Sequence, residues 1–148
     1  MRSRRAAVGA VGLTASLTLA ACGSLSATDA LTKWTTSSNL SRNAAQLVLD
    51  ARHVLRALDT PSSTAAQLHT VCAVLDLETL QANSALPSPD SQTTSLLSAA
   101  YTDLGDGANE CYVAAASPAK RARAAAYLHR AGAELSEAQA RVKALQAS

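Results

Sequence analysis

Along most of the chain, apolar residues recur at alternating spacings of four and three, the period of α-helices that pack at shallow angles. The clearest stripe lies near the C-terminus and consists of Ala124, Leu128, Ala131, Leu135, Ala138, Val142 and Leu145. Similar stripes run through three earlier segments. Strict alternation of apolar and polar residues, the pattern of a strand, is rare, and β-branched apolar residues are few. The pattern therefore predicts an all-α fold.

Prolines divide these stripes into four segments. Three of the four prolines follow a hydroxyl residue, in the pairs Thr60-Pro61, Ser88-Pro89 and Ser117-Pro118. A Ser or Thr N-cap followed by Pro favours a helix start, because the N–H that proline lacks would be unpaired there anyway. The predicted helices lie near 29–59, 61–83, 89–116 and 118–147, with ends placed to within a few residues. Short connections make neighbours antiparallel, so the prediction is an up-down antiparallel four-helix bundle.

Two stretches weaken this helical pattern. Thr35 to Ser38 are weak helix formers, so the first helix can begin as late as Ser41. Gly105-Asp106-Gly107 resembles a loop in composition, but the apolar residues on either side keep helical phase. We therefore expect a weakened or bent point within the third helix, since the acidic spacing of a calcium loop is absent.

The N-terminus has the organisation of a secretory signal peptide. Three arginines stand within the first five residues, and the run from Ala6 to Ala21 carries no charge. A membrane-spanning helix needs about 20 apolar residues, and this run is shorter and rich in Ala, Gly and Thr. The pattern favours a cleaved export signal over a permanent membrane span.

The apolar run ends in Leu19-Ala20-Ala21-Cys22, followed by Gly23. These residues resemble the lipobox of bacterial lipoproteins, and the resemblance covers only this segment. It implies that the Cys22 sulfur receives a diacylglyceryl group and that cleavage precedes Cys22, so that the protein is held on the outer face of the cell membrane. The chain then divides into a signal peptide (1–21), a lipidated cysteine with a short tether (22–28) and a helical domain (29–148).

Charge and composition change once the signal is removed. Loss of its three arginines lowers the formal charge from +2 to −1. The basic pI of the whole chain therefore reflects the signal and gives no reason to expect nucleic acid as a partner. The abundance of Ala, Leu and Arg favours a GC-rich, actinobacterial source.

Two cysteines, Cys72 and Cys111, remain beside Cys22. An even pair in an exported domain predicts a disulfide, here between the second and third helices. A tight hairpin at Pro87 would set position 72 opposite about position 102, roughly 13 Å from Cys111 along the axis, whereas bonded cysteines need Cα atoms within ~7 Å. The bond and a tight turn are therefore incompatible. A longer, asymmetric loop within 83–94 would reconcile them.

Two other groups of residues suggest binding chemistry. His69 and Cys72 lie one helical turn apart, and with Cys111 they form an alternative set of ligands for Zn or Cu that lacks a fourth member. Lys120, Arg121 and Arg123 form a basic cluster that suits anionic lipid headgroups or an acidic partner. The simpler interpretation of this cluster is a solvated face that complements the acidic third helix.

No arrangement of residues typical of catalysis stands out. The chain lacks a Gly-x-Ser-x-Gly elbow, a phosphate-binding glycine loop and a haem-attachment motif. We expect a non-catalytic, lipid-anchored envelope protein without a cofactor, which binds or positions an envelope protein that the sequence does not identify. The alternative is a bundle that binds a metal or a hydrophobic ligand. Trp34, near the anchor, is expected to pack in the domain rather than touch the membrane.

Overall fold

The computed structural model describes residues 26–147, which form five helices joined by short connections. They are α1 (Ala27–Ser37), α2 (Leu40–Asp59), α3 (Ala65–Asn83), α4 (Ser91–Tyr112) and α5 (Pro118–Gln146). The all-α prediction is confirmed. The signal peptide (1–21) and Cys22 lie outside the described residues. Within the part of the chain that is described, no helix is both long and apolar enough to cross a membrane.

The four longer helices pack around one core. α3 and α5 both pack against α2 and against α4, while α1 lies on α2 and α5. The core is built from Leu, Ala and Val side chains, and Leu47, Leu68, Leu75, Leu97, Leu104 and Leu135 are among its most deeply buried members. Burial of such side chains provides most of the stabilisation of amphipathic helices, because isolated helices of this length are marginal in water.

The segment predicted as one helix over 29–59 is two helices. The break lies at Asn39, whose φ of 50° is left-handed, a conformation that asparagine tolerates better than most residues. The backbone N–H groups of Ser38 and Asn39 donate to carbonyls of the last turn of α1 and so end that helix. At its other end α1 begins at Ala27 with Ser26 as N-cap, so the last two residues of the predicted tether are helical.

One of the three predicted helix starts is confirmed. α5 begins at Pro118, and the Ser117 side chain accepts a hydrogen bond from the backbone N–H of Lys120. The start at Pro61 is wrong, because α3 begins four residues later at Ala65. There Thr64 and Gln67 form a capping box, in which each side chain binds the other's backbone N–H.

The start predicted near Pro89 lies two residues early, and the cap is Asp90 rather than Ser88. α4 begins at Ser91 because the carboxylate of Asp90 accepts a hydrogen bond from the backbone N–H of Thr93. The Ser88 hydroxyl instead donates to the Asp90 carbonyl, within the connection that precedes the helix. A carboxylate at this position also favours the helix N-terminus electrostatically, which a serine hydroxyl does not.

The connection over 84–90 runs lengthwise along the helices. Cys72 lies eleven residues before the end of α3 and Cys111 twenty residues after the start of α4. Because the disulfide holds the two cysteines level, the longer stretch of α4 extends about nine residues past the end of α3, which is roughly 13 Å at 1.5 Å per residue. Seven residues can cover this distance. The expected asymmetric loop is therefore present.

α1 lies beside this connection. The Trp34 indole N–H donates to the carbonyl oxygen of Ala85 at 3.0 Å, and Trp34 is partly buried against the core. Leu31, almost fully buried, shares a small recess with Pro89 and Leu145. Trp34 thus packs within the domain, as expected, and holds α1 against the connection between α3 and α4.

Gly107 allows α4 and α5 to approach closely. A Cβ atom at this position would lie 2.7 Å from Cδ2 of Leu128, whereas a Cβ at Gly105 would meet nothing within 4 Å. Both glycines lie within α4, so the predicted weak point stays helical.

We expect Gly107→Ala to lower the free energy of unfolding by about 1 kcal/mol, because overpacking against buried Leu128 exceeds the gain in helix propensity. Gly105→Ala is the matched control and should raise it by up to about 1 kcal/mol. Urea unfolding of both variants provides the comparison, and equal stabilisation by the two substitutions would contradict the close approach.

Candidate functional site

Cys72 and Cys111 form a disulfide, with Cα atoms 6.0 Å apart and both side chains fully buried. The predicted pairing of α3 with α4 is thus present. Next to it, the ring of His69 stacks on the ring of Tyr112, with centroids 4.1 Å apart and planes 4° from parallel. Two contacts, one covalent and one aromatic, hold the first half of α3 on the end of α4.

His69, Cys72 and Cys111, the candidate metal ligands, are engaged in other contacts. Metals bind cysteine as a thiolate, and the disulfide leaves neither sulfur in that form. His69 lies on the tyrosine ring rather than facing a third ligand. Among the described residues no group of three or more His, Cys, Asp or Glu side chains is arranged to hold a metal ion.

The basic cluster lies where α2 ends and α5 begins. Arg121 donates to the carbonyl oxygens of Leu58 and Thr60, and so caps the C-terminus of α2. Arg123 pairs with Glu110 of α4 at 3.2 Å. Two of the three cations in this cluster are therefore engaged within the domain, and of these two only Arg123 pairs with an acid of α4.

Ion pairs run along the contact between α4 and α5. In addition to the pair made by Arg123, Arg130 binds Asp103 through two nitrogens at 2.8 and 2.9 Å. Arg141 binds Asp90 in the same forked manner at 2.6 and 2.8 Å. Asp90 therefore caps α4 and ties it to the end of α5.

Bonding to Arg141, and then to the N–H of Thr93, holds the pKa of Asp90 well below its ordinary value of 3.8. Because the pKa of Asp90 is lower in the folded state than in the unfolded state, the carboxylate stabilises the fold fully at pH values above its unfolded-state pKa. This stabilisation is lost as the pH falls through the folded-state pKa. We expect Asp90→Ala to lower stability at pH 7 by at least about 1 kcal/mol, the cost of a lost cap.

The difference between wild type and Asp90→Ala should shrink as urea unfolding is repeated from pH 4 downwards. Ser117→Ala removes the cap of α5 without removing a titratable group, so its deficit should not change over this range. If the stability difference between wild type and Asp90→Ala stays constant as the pH falls, the stabilising role of the Asp90 carboxylate charge is contradicted.

The outward side of α3 is apolar. We define the α3 face as Val74, Leu77 and Leu80, whose exposed fractions are 44%, 66% and 59%. The inward side of the same helix carries fully buried Leu68, Cys72 and Leu75. Apolar residues on two opposite sides are typical of a helix that is covered on both of them. This pattern is visible in the sequence of α3.

Charge is segregated between the two halves of the domain. Residues 57–119, which include α3 and α4, contain seven acidic residues and no Lys or Arg. Three of these acids pair with arginines of α5. Asp76 and Glu78 of α3 and Asp106 of α4 form no ion pair within residues 26–147. The α3 face is thus an apolar surface in a half of the domain that carries unneutralised acids.

A narrow groove separates α2 from α5. Its volume is about 220 Å³, and its floor reaches buried Leu47, Leu104 and Leu135. Gly132 opens one wall, since a Cβ there would meet nothing within 4 Å. Arg52 and His129 are the polar residues of its lining.

No family model, curated protein or solved structure matches this chain. Its function is therefore inferred from its own residues. The described domain offers two surfaces with the character of binding sites, the α3 face and the groove between α2 and α5.

Proposed function

We propose that this chain is an exported, lipid-anchored protein whose α2 to α5 act as an up-down helical bundle that binds or positions another envelope component without catalysis. The observation that carries the proposal is the disulfide between Cys72 and Cys111. Disulfides form and persist in oxidising compartments outside the cytoplasm. An export signal ending in a lipobox resemblance agrees with that location.

The proposed anchor would hold one end of the domain close to the membrane. Cys22 lies four positions before Ser26, where the described chain begins, and four extended residues span at most ~14 Å. α1 and the 84–90 connection would then face the bilayer. The basic cluster lies at the far end of α2, roughly 30 Å away. The proposal therefore assigns Lys120, Arg121 and Arg123 no contact with lipid headgroups.

Amine-reactive crosslinking of intact cells tests this function. The mature chain has three lysines, Lys33, Lys120 and Lys143, and none lies on α3 or α4. A reagent that cannot cross the membrane should modify these lysines and yield one discrete product of higher mass that contains a second protein. Modification only after cell lysis would contradict the location. Modification without a crosslinked product, at every spacer length, would contradict the binding function.

A second candidate function is carriage of a hydrophobic ligand, and the groove between α2 and α5 favours it. An apolar floor with a cationic rim suits an apolar molecule that carries one negative charge. The fluorescent probe anilinonaphthalene sulfonate has this chemistry. Gly132→Leu would fill the groove and abolish its binding, whereas Gly105→Leu, on α4, would leave binding unchanged. Equal fluorescence from the two variants would exclude the groove.

A further inference from the structure

Within residues 26–147, no helix covers the outward side of α3. Leu77 and Leu80 are the two most exposed of the large apolar side chains in the described residues, and Val74 is the third member of the same face. Single exposed apolar residues are ordinary on protein surfaces. Three at successive i, i+3 positions of one helix, opposite a fully buried stripe, form an apolar surface of the kind that marks an interaction site.

The charges around this face indicate what can cover it. Asp76 and Glu78 alternate with the face residues along α3 and are free of ion pairs in the described domain. Neither α3 nor α4 contributes a single Lys or Arg that could neutralise them. A partner complementary to this surface would combine an apolar stripe with flanking basic residues.

We infer that the α3 face binds a helical segment of another protein, one with an apolar stripe flanked by Lys or Arg. This inference rests on the proposed binding function and names its partner class. An amphipathic helix can place side chains at i, i+3 and i+4 against an exposed helix face, while its basic flanks pair with Asp76 and Glu78. The disulfide fixes α3 on α4, so the surface is ordered before binding.

The same charges disfavour two other occupants. A second copy docking through its own α3 face would bring acidic flanks together, and like charges at an interface oppose association. The cytoplasmic membrane of bacteria presents anionic headgroups, which repel an acidic surface. A basic helical segment avoids both penalties.

A peptide titration tests this inference. The probe is a synthetic amphipathic helix of Leu and Lys, compared with a twin in which Glu replaces every Lys. The mature protein is held in phosphatidylcholine nanodiscs, and binding to empty nanodiscs is subtracted. We expect the Lys peptide to bind at least tenfold more tightly than the Glu peptide, with affinity that falls as salt is raised.

Variants locate the binding surface. Leu77→Gln with Leu80→Gln should weaken binding of the Lys peptide at least tenfold, and Asp76→Asn with Glu78→Gln should reduce its salt dependence. Leu49→Gln is the matched control, because Leu49 is an exposed leucine on α2 (48% exposed) and should not matter. The three substituted leucines are exposed, and Asp76 and Glu78 are half-buried. The variants should therefore fold, and circular dichroism checks that they do. Equal binding by the Leu77/Leu80 variant and wild type would overturn the inference.

Two further measurements address the rival occupants. Sedimentation velocity should give a monomer; a dimer that dissociates in the Leu77/Leu80 variant would overturn the inference in favour of a second copy. The unlipidated Cys22→Ser chain should not bind phosphatidylglycerol vesicles through this face. Vesicle binding that the Leu77/Leu80 variant loses would assign the face to membrane. Repeating the peptide titration with this unlipidated chain, in solution without nanodiscs, separates failure of the anchor from failure of the α3 face.

Discussion

Replacing Cys72 and Cys111 together with alanine is expected to lower the free energy of unfolding by about 4 kcal/mol. The disulfide joins positions 39 residues apart, and in the chain-entropy model closing such a loop stabilises by roughly this amount. Alanine avoids placing serine hydroxyls at two positions that are fully buried. Total stabilities of small domains are only about 5–15 kcal/mol, so this change removes a large part.

Urea unfolding with and without a reductant measures the effect. The parent for both measurements is Cys22→Ser, which leaves Cys72 and Cys111 as the only cysteines. Reduction should shift its unfolding midpoint most of the way to that of the double alanine variant and should leave the variant itself unchanged. A parent midpoint that is insensitive to reductant under unfolding conditions would contradict the disulfide.

Replacing Cys22 with serine is expected to move nearly all of the protein from the membrane fraction to the soluble fraction. Each buried CH₂ of a lipid contributes ~0.8 kcal/mol, and a diacylglyceryl group supplies the two chains that stable anchoring requires. Serine keeps the size of the residue but lacks the thiolate nucleophile on which lipidation depends. The fractions are compared by immunoblotting after a high-salt wash.

The Cys72→Ala/Cys111→Ala variant is the control for this experiment. It lacks two cysteines but keeps Cys22, so it should remain in the membrane fraction if it folds, which circular dichroism of the extract checks. Retention of Cys22→Ser in the membrane at wild-type levels would contradict lipid anchoring through this residue.

The helical periodicity was sufficient to predict the fold class because the inward stripes of α2 to α5 are regular. Helix ends were harder, since several polar residues near each proline can serve as caps. Ser117 has no nearby competitor, and its prediction is correct. Near Pro61 and Pro89 the stronger caps are Thr64, paired with Gln67, and the carboxylate of Asp90. The sequence contained these residues, and the proline rule gave them too little weight.

The break at Asn39 and the lengthwise connection depend on tertiary contacts. Weak helix formers before Asn39 signalled a disturbance, but the position of α1 depends on Trp34 binding Ala85, a contact between distant segments. The spacing of the two cysteines required an asymmetric loop between α3 and α4. This loop could therefore be predicted without knowing that α1 lies beside it.

Of the candidate surfaces, the α3 face was within reach of the sequence. Leu77 and Leu80 fall outside the buried stripe, and a helix that is apolar on both sides predicts a second contact. The groove between α2 and α5 was not predictable, because its depth depends on how closely two helices pack around Gly132. Apolar periodicity identifies which side of a helix is buried but not the width of the gap that remains.

The most direct test of the central claim is the intact mass, without reductant, of the protein extracted from its native membrane. An exported lipoprotein with a disulfide should have the mass of residues 22–148 plus a diacylglyceryl group, less two hydrogens for the bond between Cys72 and Cys111. A mass without lipid and with both thiols free would contradict the anchor and the disulfide together.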